Sequence, residues 1–212
     1  LRIVGLAWAT TRYGGGTYGL GPLTSAGKAL LAEMERVGLI LDTTHMSEET
    51  FWQSLQYFSG PVIASHSNCR GITMGKSDLS NEADRVLNER LLSDDMIREL
   101  AERDGVIGIV PFNRYLNVEW SSSNRFEMGL DQVVRQIDHI CQLTGNALHV
   151  GIGSDIDGGF GRDETPRELD TVADIAKLAD ALRQSGYQEK DVTCIMGGNW
   201  QRLLEQSLPQ QS

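Results

Sequence analysis

GLILDTTH (Gly38–His45) and PVIASH (Pro61–His66) are apolar, β-branched runs that each end on a histidine. Their hydrophobicity is continuous rather than alternating, which marks strands buried on both faces, as in parallel sheets. The same reading extends to RIVGLAW (Arg2–Trp8), GVIGIVPF (Gly105–Phe112) and ALHVGIGSD (Ala147–Asp155). Between these runs the spacing turns helical. Ser25–Val37 places Leu30, Leu31, Met34 and Val37 on one stripe, with Thr24 or Ser25 as N-cap. Leu92–Asp104 brings Met96, Ile97 and Leu100 to one face behind a Ser93 cap. Glu48–Phe58, Glu127–Leu143, Thr171–Ser185 and Lys190–Gln206 complete the predicted helices. Alternation of this kind predicts βα units around a parallel sheet, in one domain over residues 1–212. Two connections stand out: the glycine-rich Thr10–Gly21, and Asn68–Glu89, a long polar stretch with only a short helix expected at its end.

The chain of 212 residues carries a net charge of −10, which excludes the basic stripe of a nucleic-acid partner and a polybasic membrane-surface segment. No stretch approaches the ~18–20 apolar residues of a membrane span. Cys69, Cys141 and Cys194 are widely separated and odd in number, so they form no disulfide framework and no paired-cysteine metal ribbon.

The chemistry sits where the strands stop. Three runs end in a histidine or an aspartate: His45, His66 and Asp155. Histidines at successive strand ends can converge on one ion, and neutral imidazole is a standard zinc ligand. A carboxylate beside them would serve as a ligand or as a proton carrier. His139 lies inside a helical pattern and His149 opens a strand, so both read as structural. The glycines of GIGSDIDG (Gly151–Gly158) do not open a helix after a strand, and Gly14–Gly16 lacks the Lys-Ser/Thr ending of a phosphate loop. Neither is a nucleotide fingerprint.

LILDTTHMSEETFW, PVIASHSNCRGI, RLLSDDMIRELAERDGVIGIVPF, HVGIGSDIDG and GGNWQRLLE follow one another along nearly the whole chain. These blocks resemble, in order, those of the renal (membrane) dipeptidase-like metallopeptidases. The resemblance implies a partial (β/α)8 TIM-type barrel holding about the last five βα units, with the N-terminal strands absent. It implies zinc-dependent dipeptide hydrolysis at a binuclear zinc site. His45 and His66 would bind one zinc ion, and Asp155 would handle the proton of the attacking water. Arg90 would grip the substrate carboxylate. Trp8 stands where characterised mammalian members carry a substrate-handling histidine, so it is expected to contact substrate. The family's His-x-Asp pair and bridging glutamate would precede Leu1, so residues 1–212 alone are expected to be inactive. Leu91 replaces a family asparagine, and Asn68–Glu89 would reshape the pocket mouth. The partner implied is a small peptide, with a homodimer left open. Free cysteines favour the cytoplasm, whereas a leader ahead of Leu1 would export the protein. Alternatives are an amidohydrolase acting on lactones or N-acyl amino acids, and a non-catalytic barrel module.

Overall fold

The computed structural model describes residues 1–75, 79 and 81–208. Five short strands form one sheet: β1 (Ile3–Gly5), β2 (Ile40–Asp42), β3 (Val62–Ala64), β4 (Val106–Ile109) and β5 (Val150–Ile152). They lie side by side in chain order, and every neighbouring pair is parallel. That order is what repeated βα units give, and it brings every strand's C-terminal end to the same side of the sheet. The strands are shorter than the apolar runs that predict them. Each run continues past its strand into the following loop, and in three of the five that continuation carries His45, His66 or Asp155.

Ten α-helices accompany the strands among the described residues: α1 (Ser25–Arg36), α2 (Glu48–Tyr57), α3 (Arg70–Met74), α4 (Glu82–Arg90), α5 (Asp94–Glu102), α6 (Asn113–Leu116), α7 (Leu130–Thr144), α8 (Lys177–Gln184), α9 (Glu189–Thr193) and α10 (Asn199–Ser207). Side-chain caps fix several of their starts: Thr24 accepts from Gly27, Ser47 from Thr50, Asn81 from Asp84 and Ser93 from Met96. The main core packs Leu31 and Met34 of α1, Phe51 of α2, Ile97 and Leu100 of α5 and Ile137 and Ile140 of α7 against sheet residues such as Leu41, Val62 and Ile107.

Three predicted elements need correction. Lys190–Gln206 is not one helix but α9, a π-helical turn at Cys194–Gly198, and α10. Gly197 and Gly198 lie at the break, where their low helix propensity makes continuity weakest. Thr171–Ser185 divides into a 3-10 turn at Val172–Ala176 and α8. Asn68–Glu89 holds two helices, α3 and α4, while residues 76–78 and 80 of it lie outside the described residues. α4 is the short helix expected at the end of this stretch, where EADRVLNER buries only Leu87 and Arg90; α3, at five residues, is too short to show a period.

The outer edge of β5 is covered by side chains. Asn199 Nδ2 donates to the carbonyls of Ala147 and Val150, each at 2.7 Å, and Trp200 Nε1 donates to that of Ile152 at 3.0 Å. Gly151 admits this indole, because a Cβ there would stand 2.5 Å from Trp200 Nε1.

Candidate metal and substrate site

Asp42 closes β2, and a tight turn follows it. Thr43 donates through its N–H and its hydroxyl to the carbonyl of Ile63, and Met46 N–H returns to the carbonyl of Thr43. The turn requires His45 to adopt a left-handed backbone, with φ of 67°. On the neighbouring strand Ser65 and His66 follow β3 directly. The two turns set His45 Nε2 and His66 Nε2 3.1 Å apart, with ring centroids 5.1 Å apart.

Each imidazole is held by its other nitrogen. His45 Nδ1 lies 3.2 Å from Thr17 Oγ1, supplied by the glycine-rich loop, and His66 Nδ1 lies 2.7 Å from Ser65 Oγ. Burial, then the nearby Arg90 charge, then His66 push the His45 imidazole down to about 3. Burial and Arg90 also lower His66, against the opposing pull of Asp155, Asp42 and Asp157. Both rings are therefore neutral near pH 7, the protonation state a metal ligand needs.

Asp155 follows β5 and is the second site residue in the left-handed region, with φ of 50°. Its carbonyl accepts from Gly158 N–H at 2.8 Å. Gly158 makes room for the carboxylate, since a Cβ there would stand 2.4 Å from Asp155 Oδ1. Asp155 acts electrostatically on both His66 and Arg90.

Arg90 ends α4 and is only 3% exposed, a buried position for a charged side chain. Its Nη1 donates to Ser67 Oγ at 3.0 Å and its Nη2 to the carbonyl of His66 at 2.5 Å. The guanidinium carbon stands 5.1 Å from the Tyr115 ring centre. Burial lowers its proton affinity, an effect opposed by Tyr115, Asp155 and Asp42. Its Nε is buried without a hydrogen-bond partner, and among the described residues no ion pair takes its charge. A buried cation with an unused donor is poised for an anionic group.

Trp8 is 61% exposed, with its ring 5.8 Å from that of His45 and 5.0 Å from that of Tyr18. The other two histidines lie elsewhere: His139 meets Asp94 at 2.8 Å, and His149 Nδ1 meets the carbonyl of Gly105 at 3.1 Å. Sequence reasoning misses Thr17, Asp42, Ser65, Ser67 and Tyr115. Small polar residues at strand ends look alike in sequence. The available signals were adjacency, with Ser65 next to His66, and the unexplained aspartate inside the apolar LILD run. Among the described residues no group of three or more His, Cys, Asp or Glu side chains is arranged to hold a metal.

Two glycines form the floor beneath His66. A Cβ at Gly153 would stand 2.0 Å from the carbonyl oxygen of Ser65 and 3.0 Å from the Cα atoms of Gly108 and His66. Backbone cannot yield as a flexible side chain can, so Gly153→Ala is expected to destabilise by about 3 kcal/mol, the upper end of the usual overpacking range. Gly161→Ala, with open space around its site, is the control and should be near neutral. Urea denaturation of both variants checks this, and equal midpoints would refute the tight floor.

A family model described as membrane dipeptidase (peptidase family M19) matches residues 6–211. A Klebsiella pneumoniae protein encoded in the pqqA 5′ region is 28% identical, over 97% of this chain and 72% of its own length. Dipeptidase aclJ of Aspergillus oryzae is 30% identical, over 87% of this chain and 39% of its own length. A metallo peptidase from Rhodobacter sphaeroides, solved with a phosphinate mimic of the dipeptide L-Ala-D-Ala, superposes with a TM-score of 0.81 at 28% identity. That comparison covers 98% of this chain and 56% of the Rhodobacter chain. No helix among the described residues is long and apolar enough to cross a membrane. With a family model matched along nearly its whole length, the chain belongs to the membrane dipeptidase family of metallopeptidases.

Proposed function

We propose that this chain carries the reacting half of a zinc-dependent dipeptidase, built on the last five βα units of a (β/α)8 barrel. The observation that carries the reading is the pair of neutral imidazoles with their Nε2 atoms 3.1 Å apart at the ends of adjacent strands. Sequential parallel strands with the polar residues gathered at their C-terminal ends are what a barrel hydrolase requires. The dipeptide ligand of the Rhodobacter relative and the dipeptidase name of the Aspergillus one point to the same substrate class.

The residues fit a bound metal. Both Nδ1 atoms are engaged by hydroxyls, which leaves the two Nε2 atoms as the converging pair. His45 and His66 would hold one zinc ion. A binuclear site would need ligands besides these two, because two histidines alone rarely hold zinc against water. Bound zinc supplies Lewis acidity, bringing the pKa of a water to about 7 and polarising the scissile carbonyl.

The chain's own side chains do the rest. Arg90 receives the free carboxylate of the substrate on its guanidinium, with the unused Nε as an added donor. Asp155 takes a proton from the attacking water and returns it to the leaving amine nitrogen as the C–N bond breaks. Trp8, exposed beside His45, offers an apolar wall to the peptide's other end.

The test is zinc content and turnover of the intact protein on a panel of dipeptides, L-Ala-D-Ala among them, against lactones and N-acyl amino acids. Zinc with preferential dipeptide turnover is expected. Lactone turnover in its place moves the protein to another amidohydrolase class, and zinc-free protein without turnover supports the non-catalytic module.

A further inference from the structure

We infer that Asp42 is a positioning residue: acting through Ser65, it fixes the tautomer of His66 so that a bare Nε2 faces His45. Only the link from that nitrogen to a metal rests on the dipeptidase reading; the proton arrangement follows from the hydrogen bonds.

Asp42 Oδ1 accepts the backbone N–H of Thr44 and that of Ser65, each at 3.0 Å, and Oδ2 accepts the Ser65 hydroxyl at 2.5 Å. A carboxylate offers acceptors only. The single Ser65 hydroxyl proton is therefore committed to Asp42, and Ser65 Oγ can meet His66 Nδ1 at 2.7 Å only as an acceptor. The ring proton must then sit on Nδ1, which leaves a lone pair on Nε2. Thr44 Oγ1 fits the same direction: it accepts His66 N–H at 3.3 Å and lies 3.3 Å from Ser65 Oγ, to which it can donate.

One carboxylate thus anchors the residue immediately before each histidine, Thr44 before His45 and Ser65 before His66. The His45 side repeats the logic with a different residue. Thr17 Oγ1 donates to the carbonyl of His45 at 3.3 Å, which leaves it as an acceptor for His45 Nδ1–H at 3.2 Å. Two bare nitrogens 3.1 Å apart repel unless a cation or proton lies between them. Outer partners of this kind typically alter metal affinity 10–100-fold, by orienting the ring and raising its basicity.

Asp42→Asn keeps the shape and inverts the direction. The amide oxygen can still accept from the two backbone N–H groups, but its NH2 now donates to Ser65 Oγ. The serine proton, released from residue 42, turns to the nearer acceptor, His66 Nδ1 at 2.7 Å rather than Thr44 Oγ1 at 3.3 Å, and the ring proton is driven to Nε2.

The experiment is long-range 15N–1H correlation of the imidazoles in the metal-free intact protein, with zinc affinity measured by chelator competition. The wild type should show His66 protonated on Nδ1. Asp42→Asn should show it on Nε2, with zinc affinity reduced about 10–100-fold and little change in Tm. If Asp42→Asn fails to fold, Ser65→Ala should lose the fixed tautomer and Ser65→Thr should restore it. An unchanged Nδ1–H tautomer in Asp42→Asn, or in Ser65→Ala, overturns the inference. A tautomer that switches in a protein binding no zinc upholds the relay and removes the dipeptidase reading. Zinc binding and dipeptide turnover with an unresponsive tautomer do the reverse.

Discussion

With the proposed zinc dipeptidase site, the His66→Ala protein is expected to bind no zinc and to fall by roughly 100-fold or more in kcat/KM on dipeptides, beyond the 10–100-fold typical of losing an outer partner. The argument is geometric. His66 supplies half of the converging pair, and the remaining imidazole has no third side chain arranged with it among the described residues. The fold should survive, because Arg90 is held by the carbonyl of residue 66, which alanine retains. Metal analysis, steady-state kinetics and thermal unfolding on one preparation separate the cases. A variant that keeps its zinc and its turnover would remove His66 from the metal site. A variant that loses both along with its Tm would show only misfolding, and His45→Ala would then carry the test.

Arg90→Met should cost on the order of 10²–10⁴-fold in kcat/KM on dipeptides, the loss of two charge-assisted hydrogen bonds of ~1.5–3 kcal/mol each. Methionine keeps an unbranched apolar stem while removing a buried guanidinium that has no ion-pair partner among the described residues. The decisive comparison uses dipeptide amides, which present no carboxylate. The wild type should handle them poorly, and Arg90→Met should be little worse on them than the wild type. An equal loss on acids and amides would mean that Arg90 merely supports Ser67 and His66.

Much of this was legible in the sequence for a simple reason. Strands covered on both faces write continuous apolar runs, and GLILDTTH and PVIASH show where the apolar residues stop and His45 and His66 begin. The helices with a one-sided apolar stripe, α1 and α5, fall close to their predicted spans, including the Thr24 and Ser93 caps. What stayed hidden has physical causes too. α3, five residues long, is too short to write an apolar period, and α4, the short helix expected at the end of Asn68–Glu89, buries a charge at Arg90 beside Leu87. Its terminal arginine looks like a surface residue until its exposure is known. The aid that Thr17 lends His45 spans 28 residues of sequence and depends on a glycine-rich loop folding back. A Cβ at Gly16, for instance, would stand 2.6 Å from the carbonyl of Ala9. Glycine content predicts a loop, but not where the loop lands.

His45 and Asp155, at φ of 67° and 50°, hold their side chains at the cost of an unfavourable backbone. Such a conformation costs roughly 1–2 kcal/mol in a residue with a Cβ, and glycine there escapes it. The molecule therefore gives up thermal margin at two of the positions assigned to its chemistry. On the proposed reading, heat tolerance and turnover pull in opposite directions at these two positions. In a lineage released from catalysis, glycine would be welcomed at both, so a duplicated copy that had changed trade would show it there before its core began to drift.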